Sequence, residues 1–193
     1  MKKDIILAGV GGQGILSIAA TIGMAAVADG LYLKQAEVHG MSQRGGDVQS
    51  HLRLSDKEIA SDLIAEGKAD MIISVEPMEA LRYLPMLSEE GWIITNSKPF
   101  INIPNYPPLE NILQELGKTK KQIIIDADKI ASDIGASKSA NMVILGAASP
   151  FLDIDFAKLE NAIRGLFGRK GEEVVNINIE ALKLGRQFAE KML

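Results

Sequence analysis

Residues 4–14 read D-I-I-L-A-G-V-G-G-Q-G, a short apolar run that breaks into a glycine cluster. Gly9, Gly11 and Gly14 fall at G-x-G-x-x-G spacing, and the helical pattern of residues 15–28 follows at once. A strand that turns this tightly into a helix opens a βαβ unit. The glycines permit the turn, let a ligand approach the backbone and let strand and helix sit close together. Free N–H groups at the start of the helix form a ready anion site. Gly9, Gly11, Gly12, Gln13 and Gly14 are therefore candidates for holding a phosphate or a coenzyme. A purely structural strand–helix turn is the competing reading.

Apolar runs alternate with helical patterns along the rest of the chain, which favours an α/β fold. Strands are expected at residues 5–9, 32–38, 71–75, 92–95 and 122–125. Helices are expected at 15–28, 79–87, 127–134, 156–167 and 180–192, with Pro77 near the start of the second and Asp155 as N-cap of the fourth. Residues 48–54 alternate Val48, Ser50, Leu52 and Leu54 with Gln49, His51 and Arg53, the pattern of a half-exposed strand. Four of the seven prolines crowd into residues 98–109, which read as a loop or extended arm rather than a domain linker. The expected architecture is a Rossmann-like open, mostly parallel sheet with helices on both faces and a mainly helical part from residue 141 onward. A length of 193 residues suits one domain, 1–193.

Composition narrows the function. A net charge of −4 argues against nucleic acid, whose binders show a basic stripe. The sequence holds no cysteine and only His39 and His51, so ordinary ligation of an iron–sulfur cluster or a structural zinc is ruled out, as are a disulfide and a cysteine nucleophile. No metal site is expected. Asp4 and the glycines cut short the apolar run behind Lys2 and Lys3, so it does not read as a signal peptide. No run approaches the ~18 apolar residues of a membrane span. A soluble cytoplasmic protein is expected.

A second string, E-V-H-G-M-S-Q-R-G-G-D-V-Q-S at residues 37–50, follows the second expected strand. Ligands of open α/β sheets bind in loops at the carboxyl ends of strands. Arg44 is suited to gripping a carboxylate or phosphate bidentately, and His39 to proton transfer near neutral pH. No nucleophile or carboxylate pair is arranged around them, so partner docking is favoured over catalysis and no catalytic residue is assigned. Glu37 lies near the place where a dinucleotide site puts its ribose-binding acid, which leaves a stand-alone NAD(P)-binding oxidoreductase as the alternative. Glu76-Pro77-Met78-Glu79 is read as a helix start with acids near the positive end of the helix dipole.

Taken together, Gly9-Val-Gly-Gly-Gln-Gly14, the string from Glu37 through His39, Gly40, Gln43, Arg44, Gly45 and Gly46, and Ser50-His-Leu-Arg53 resemble the gamma-type subunits of 2-oxoacid:ferredoxin oxidoreductases. The resemblance continues through residues 69–84 and 141–146, and E-V-H-G-M-x-Q-R-G-G is similar to the indolepyruvate-type branch. It implies a cofactor-free subunit, inactive alone, beside a large alpha subunit that carries thiamine diphosphate and the iron–sulfur clusters. The implied reaction is oxidative decarboxylation of indolepyruvate and other arylpyruvates to aryl-acetyl-CoA, with coenzyme A as co-substrate and ferredoxin as acceptor. The 37–46 string would face the partner or complete its substrate cleft. Partner-facing apolar surface would let the isolated chain form a homodimer.

Overall fold

The computed structural model describes residues 1–38 and 45–193 in full and the backbone of His39. Among these residues six strands form one sheet: β1 (Lys2–Val10), β2 (Tyr32–His39), β3 (Asp47–Ser55), β4 (Ala69–Ser74), β5 (Leu87–Asn96) and β6 (Gln122–Ile125). Seven α-helices are described: α1 (Ile15–Ala28), α2 (Pro77–Arg82), α3 (Leu109–Leu116), α4 (Ala127–Asp133), α5 (Ala140–Ala148), α6 (Phe156–Phe167) and α7 (Glu172–Glu190). The sheet order is β2-β3-β1-β4-β5-β6. β1, β4, β5 and β6 are parallel, while β3 runs antiparallel to both β1 and β2. The mostly parallel α/β fold expected from the sequence is the one observed.

Alternation along each strand divides the core between the two faces. Ile5, Leu7, Leu52, Leu54, Met71, Ile73 and Ile94 meet α1 and α4–α7 in the larger cluster. Ile6 and Ile72, and separately Ile93, face the other side, where Ile64, α2 and α3 cover them. On the larger side α5 and α7 touch backbone to backbone. A Cβ on Gly146 would stand 1.9 Å from the Leu182 carbonyl oxygen, and one on Gly185 would stand 1.9 Å from that of Val143. Asp155 caps α6 by accepting from the Ala157 amide at 3.0 Å, as its sequence position suggested.

Three expectations need correction. β3 is not half-exposed: Ser50, His51, Leu52, Leu54 and Ser55 are all buried. It lies inside the sheet between β1 and β2, and residues 59–65 cover its second face. The helix expected at 79–87 ends at Arg82, because Pro85 lacks an amide hydrogen and forces a short 3-10 turn, Leu84–Met86, before β5. The last helix begins at Glu172 rather than residue 180. Its opening V-V-N-I-N-I reads as strand-like, yet Val175, Ile179 and Leu182 fall on one helical face and are buried.

His51 and Arg53 explain how the covering segment is held. The His51 Nδ1 accepts from the Ile64 amide at 3.0 Å, and burial pushes the imidazole below its ordinary pKa. The Arg53 guanidinium donates to the Ser61 and Leu63 carbonyls at 2.9 and 3.0 Å. It also grips Asp4 across the β1–β3 pair, with Nε to Oδ1 at 2.7 Å and Nη2 to Oδ2 at 3.1 Å. Burial acts to raise the Asp4 carboxyl pKa, but the bonds from Arg53 and Lys2 outweigh it and hold it below the ordinary carboxylate value. Arg53→Ala should leave Asp4 buried beside only the exposed Lys2 and release residues 61–63. The expected loss is about 3–5 kcal/mol, seen as a lower urea midpoint for the variant chain.

Candidate functional site

The sheet's chain path opens a crevice at the carboxyl ends of β1 and β4. From β1 the chain passes through α1, on the larger face, toward the β2 edge. From β4 it passes through α2, on the opposite face, toward β5. Adjacent parallel strands whose connections leave in opposite directions part there, and ligands of open α/β sheets bind in such gaps.

The glycine loop forms one lip. Gln13 locks it internally, its Oε1 accepting from the Val10 amide at 2.8 Å. The Gly11 amide donates to the Gly46 carbonyl at 2.9 Å, joining the two glycine strings. Gly9 is the buried next-to-last residue of β1, packed beside Val75. Gly14 is the N-cap of α1 with φ 84°, and it supplies no side chain to satisfy the first-turn amides. Its carbonyl accepts from Asn141 Nδ2 at 3.1 Å, which brings the start of α5 against the start of α1.

Two helix N-termini therefore converge on one cleft, and their dipoles favour negative charge there. The cleft has two lobes that share Gly12, Gln13, Ser137, Lys138 and Asn141. One, of ≈ 610 Å³, runs between α1, α5 and α7 and is flanked by Lys138 and Lys170. The other, of ≈ 490 Å³, lies over Val75 and Asn96 and is walled by Phe100 and Asp128. Asn96 is buried; it donates to Asp128 Oδ2 at 2.7 Å and accepts from the Ala127 amide at 3.1 Å. The arrangement suits an extended ligand with phosphate groups at the lysine-flanked turn and a less charged part in the second lobe.

Behind the crevice lie two buried carboxylates. Glu76 caps α2, its Oε2 accepting from the Glu79 amide at 2.9 Å, as the helix-start reading implied. It is nevertheless wholly buried, and its Oε1 accepts from the Phe100 amide and from the Tyr106 hydroxyl. Burial, then the bond to Glu76, pushes the Tyr106 phenol well above its ordinary pKa. Burial also raises the Glu79 carboxyl, although Arg82 Nε donates to it at 2.8 Å. Tyr83, desolvated and beside Asp47, is pushed up to about 12.

Of the glycine-loop residues singled out in the sequence, Gly12, Gln13 and Gly14 line the cleft, while Gly9 is buried within β1 and Gly11 is tied to Gly46. Glu37 does not join them. It sits on the edge strand β2, opposite Ser50, with Gln35 Nε2 3.2 Å from its Oε2. Because β3 separates β2 from β1, Glu37 lacks the position from which a ribose-binding acid reaches a first-strand glycine turn, and the NAD(P) alternative is not supported. Gly40, Gln43, Arg44 and the side chain of His39 lie outside the described residues. Lys138, Asn96, Asp128 and Phe100 were not singled out in the sequence, since they come from a 3-10 turn, the end of β5, the start of α4 and the arm after β5, which only the fold brings together. Among the described residues no group of three or more His, Cys, Asp or Glu could hold a metal ion.

The family model described as pyruvate ferredoxin/flavodoxin oxidoreductase matches residues 4–188. The indolepyruvate oxidoreductase subunit IorB of Archaeoglobus fulgidus is 37% identical over 194 residues, covering 96% of this chain and 94% of that protein. The protein of the same name from Pyrococcus horikoshii is 37% identical over 204 residues, covering 100% and 99%. The fold is also similar to 2-oxoglutarate:ferredoxin oxidoreductase from Magnetococcus marinus, solved with 2-oxoglutarate, coenzyme A and succinyl-CoA bound. That match has a TM-score of 0.81 at 22% identity and covers 100% of this chain but 32% of that one.

The α1–α5 junction can be probed at two glycines. Both Gly12 (φ 100°) and Gly14 (φ 84°) are strained by any Cβ, but only at Gly14 would the added carbon stand 2.5 Å from Asn141 Nδ2. Gly12→Ala is expected to cost about 1 kcal/mol and Gly14→Ala on the order of 2–3 kcal/mol in thermal unfolding. Equal losses would mean that Asn141 yields without cost.

Proposed function

Because the chain belongs to the pyruvate ferredoxin/flavodoxin oxidoreductase family, we propose that it is the small subunit of an indolepyruvate-type 2-oxoacid:ferredoxin oxidoreductase. The observation that carries this reading is the near-complete mutual coverage with two proteins bearing the indolepyruvate subunit name. The complex would decarboxylate an arylpyruvate, join the acyl carbon to the sulfur of coenzyme A and pass the released electron pair to ferredoxin. Thiamine diphosphate and the iron–sulfur clusters belong to a large alpha subunit. A chain without cysteine has no thiolate with which to hold a cluster.

The part assigned to this chain is binding. Its two-lobed cleft would take the phosphates of coenzyme A at the α1 and α5 N-termini, with Lys138 and Lys170 as counter-charges. The 37–46 string, ending at Gly46 against the glycine loop, would face the alpha subunit at the rim of the same crevice. Exposed Leu16, Val27, Tyr32 and Val38, along α1 and the edge strand β2, offer apolar surface for association, including a homodimer of the isolated chain. No described helix is long and apolar enough to cross a membrane. The reading places the complex in the cytoplasm.

The decisive experiment is purification of the tagged chain without oxygen, followed by an assay of what accompanies it. A thiamine-dependent, cysteine-rich partner that reduces ferredoxin with indolepyruvate is expected. Recovery of the chain alone, with no activity on mixing with such a partner, would sink the proposal. Within the active complex, Lys138→Ala should raise the KM for coenzyme A about tenfold while sparing that for the 2-oxoacid. Arg44→Ala should leave the chain folded but weaken assembly, by on the order of 2–5 kcal/mol if its contact is buried. Unchanged assembly and activity would remove Arg44 from the interface.

A further inference from the structure

We propose that Glu76 is a positioning residue for the cleft, acting through the arm between β5 and α3 to hold Phe100 in place as one of its walls. The inference rests on the reading of the cleft as the coenzyme site, and it concerns a residue that touches no ligand itself.

Residues 97–108 contain neither helix nor strand, so no backbone ladder fixes their course. Four prolines narrow the conformations open to the segment but do not say where it lies. Its position depends on side-chain contacts. At its root, Asn96 Oδ1 accepts from the Lys98 amide at 3.3 Å. At the far side, Asn102 Nδ2 donates to the Gly45 carbonyl, so the arm crosses the crevice from β5 to the second glycine string. Between and beyond these points the Glu76 carboxylate accepts from the Phe100 amide at 3.3 Å and from the Tyr106 hydroxyl. One buried group thus brackets the apex, where Ile101 is 70% exposed and gains little from burial.

Glu76 has strong reason to keep these donors. It is 0% exposed, and a carboxylate removed from water needs compensating hydrogen bonds. Losing one of them costs the carboxylate as well as the arm. Glu79, a turn along, is nearly as buried but spends its oxygens on Arg82 and not on the arm. The consequence at the cleft is specific. Phe100 directly follows Pro99, its amide is held from behind by Glu76, and its ring lines the lobe shared with Gly12, Gln13 and Asn141. A loosened arm would withdraw that wall while leaving the lysine-flanked turn untouched.

The test combines hydrogen exchange of residues 97–106 in the isolated chain with steady-state kinetics of the assembled complex. Glu76→Gln removes the carboxylate, and Tyr106→Phe removes a single donor while keeping its ring in the apolar cluster with Ile112 and Leu116, so the second serves where the first fails to fold. Each is expected to speed exchange in the arm and to raise the KM for coenzyme A about tenfold, with kcat and the KM for the 2-oxoacid little changed. Neither should raise it further in a Phe100→Ala background, since both act through that ring. Unchanged exchange, or effects that multiply with Phe100→Ala, would overturn the inference. If Lys138→Ala raises the KM for coenzyme A and Tyr106→Phe does not, the positioning role alone falls. If neither does, the coenzyme reading falls and takes this one with it.

Discussion

The bidentate pair between Asp4 and Arg53 holds a reversed strand in the middle of the sheet. Asp4 is 1% exposed and Arg53 17%, so the pair gives up much of its hydration, and such a pair is stable only when the remaining donors and acceptors are used. Here they are used. Arg53 also binds the Ser61 and Leu63 carbonyls, Lys2 reaches Asp4 Oδ2 at 2.7 Å, and Asp70 Oδ2 accepts from the Asp4 amide at 2.8 Å. One cluster therefore ties β1, β3, β4 and the segment over them. With β3 fixed beside β1, β2 is displaced to the edge, and the acid at its end is carried away from the glycine turn. A pattern that would signal a dinucleotide site in a sheet with β1 and β2 adjacent loses that meaning when a strand is inserted between them.

The other half of the site depends on the contact between α5 and α7. Backbone-to-backbone packing at Gly146 and Gly185 draws α5 into the larger face, where its first residues meet the start of α1. The Asn141–Gly14 bond then turns two helix termini toward the same space. Each end is an anion site by itself; convergence sums two partial charges and adds Lys138 beside them. The same contact brings the beginning of α7, with Val174 and Asn178, to close the larger lobe. Packing far from the crevice thus sets its electrostatics.

How much of this was legible in the sequence follows from the range of the interactions involved. The β1–turn–α1 unit could be read directly, because adjacent residues and glycine chemistry decide it. Asp155 capping α6 is equally local. The burial of β3 was not legible. Its alternation of Ser50, Leu52 and Leu54 with His51 and Arg53 marks a polar face, and only the chain beyond it shows that residues 61–64 use those polar groups as anchors. The S-H-L-R string that helped suggest the family is architecture rather than chemistry. Glu76 shows the opposite limit. Its role as an N-cap could be read from Pro77 and Glu79, but its bonds to Phe100 and Tyr106 span 24 and 30 residues, and no local pattern encodes them.

These commitments bear on where the chemistry of the complex takes place. A general base needs a free lone pair within reach of substrate and a pKa matched to its task. The two buried carboxylates behind the crevice fail the first condition, since Glu76 accepts from Glu79, Phe100 and Tyr106 and Glu79 is held by Arg82. Tyr83 and Tyr106 fail the second, for a phenol is protonated near neutral pH and burial pushes both still further above it. Among the described residues, what faces the cleft is a set of amides, lysines, an aromatic wall and the Asp128 carboxylate, which Asn96 and Lys98 hold at 2.7 and 3.5 Å. Behind the crevice, ionisable side chains fix a loop and a helix end, which agrees with the binding role proposed for this chain.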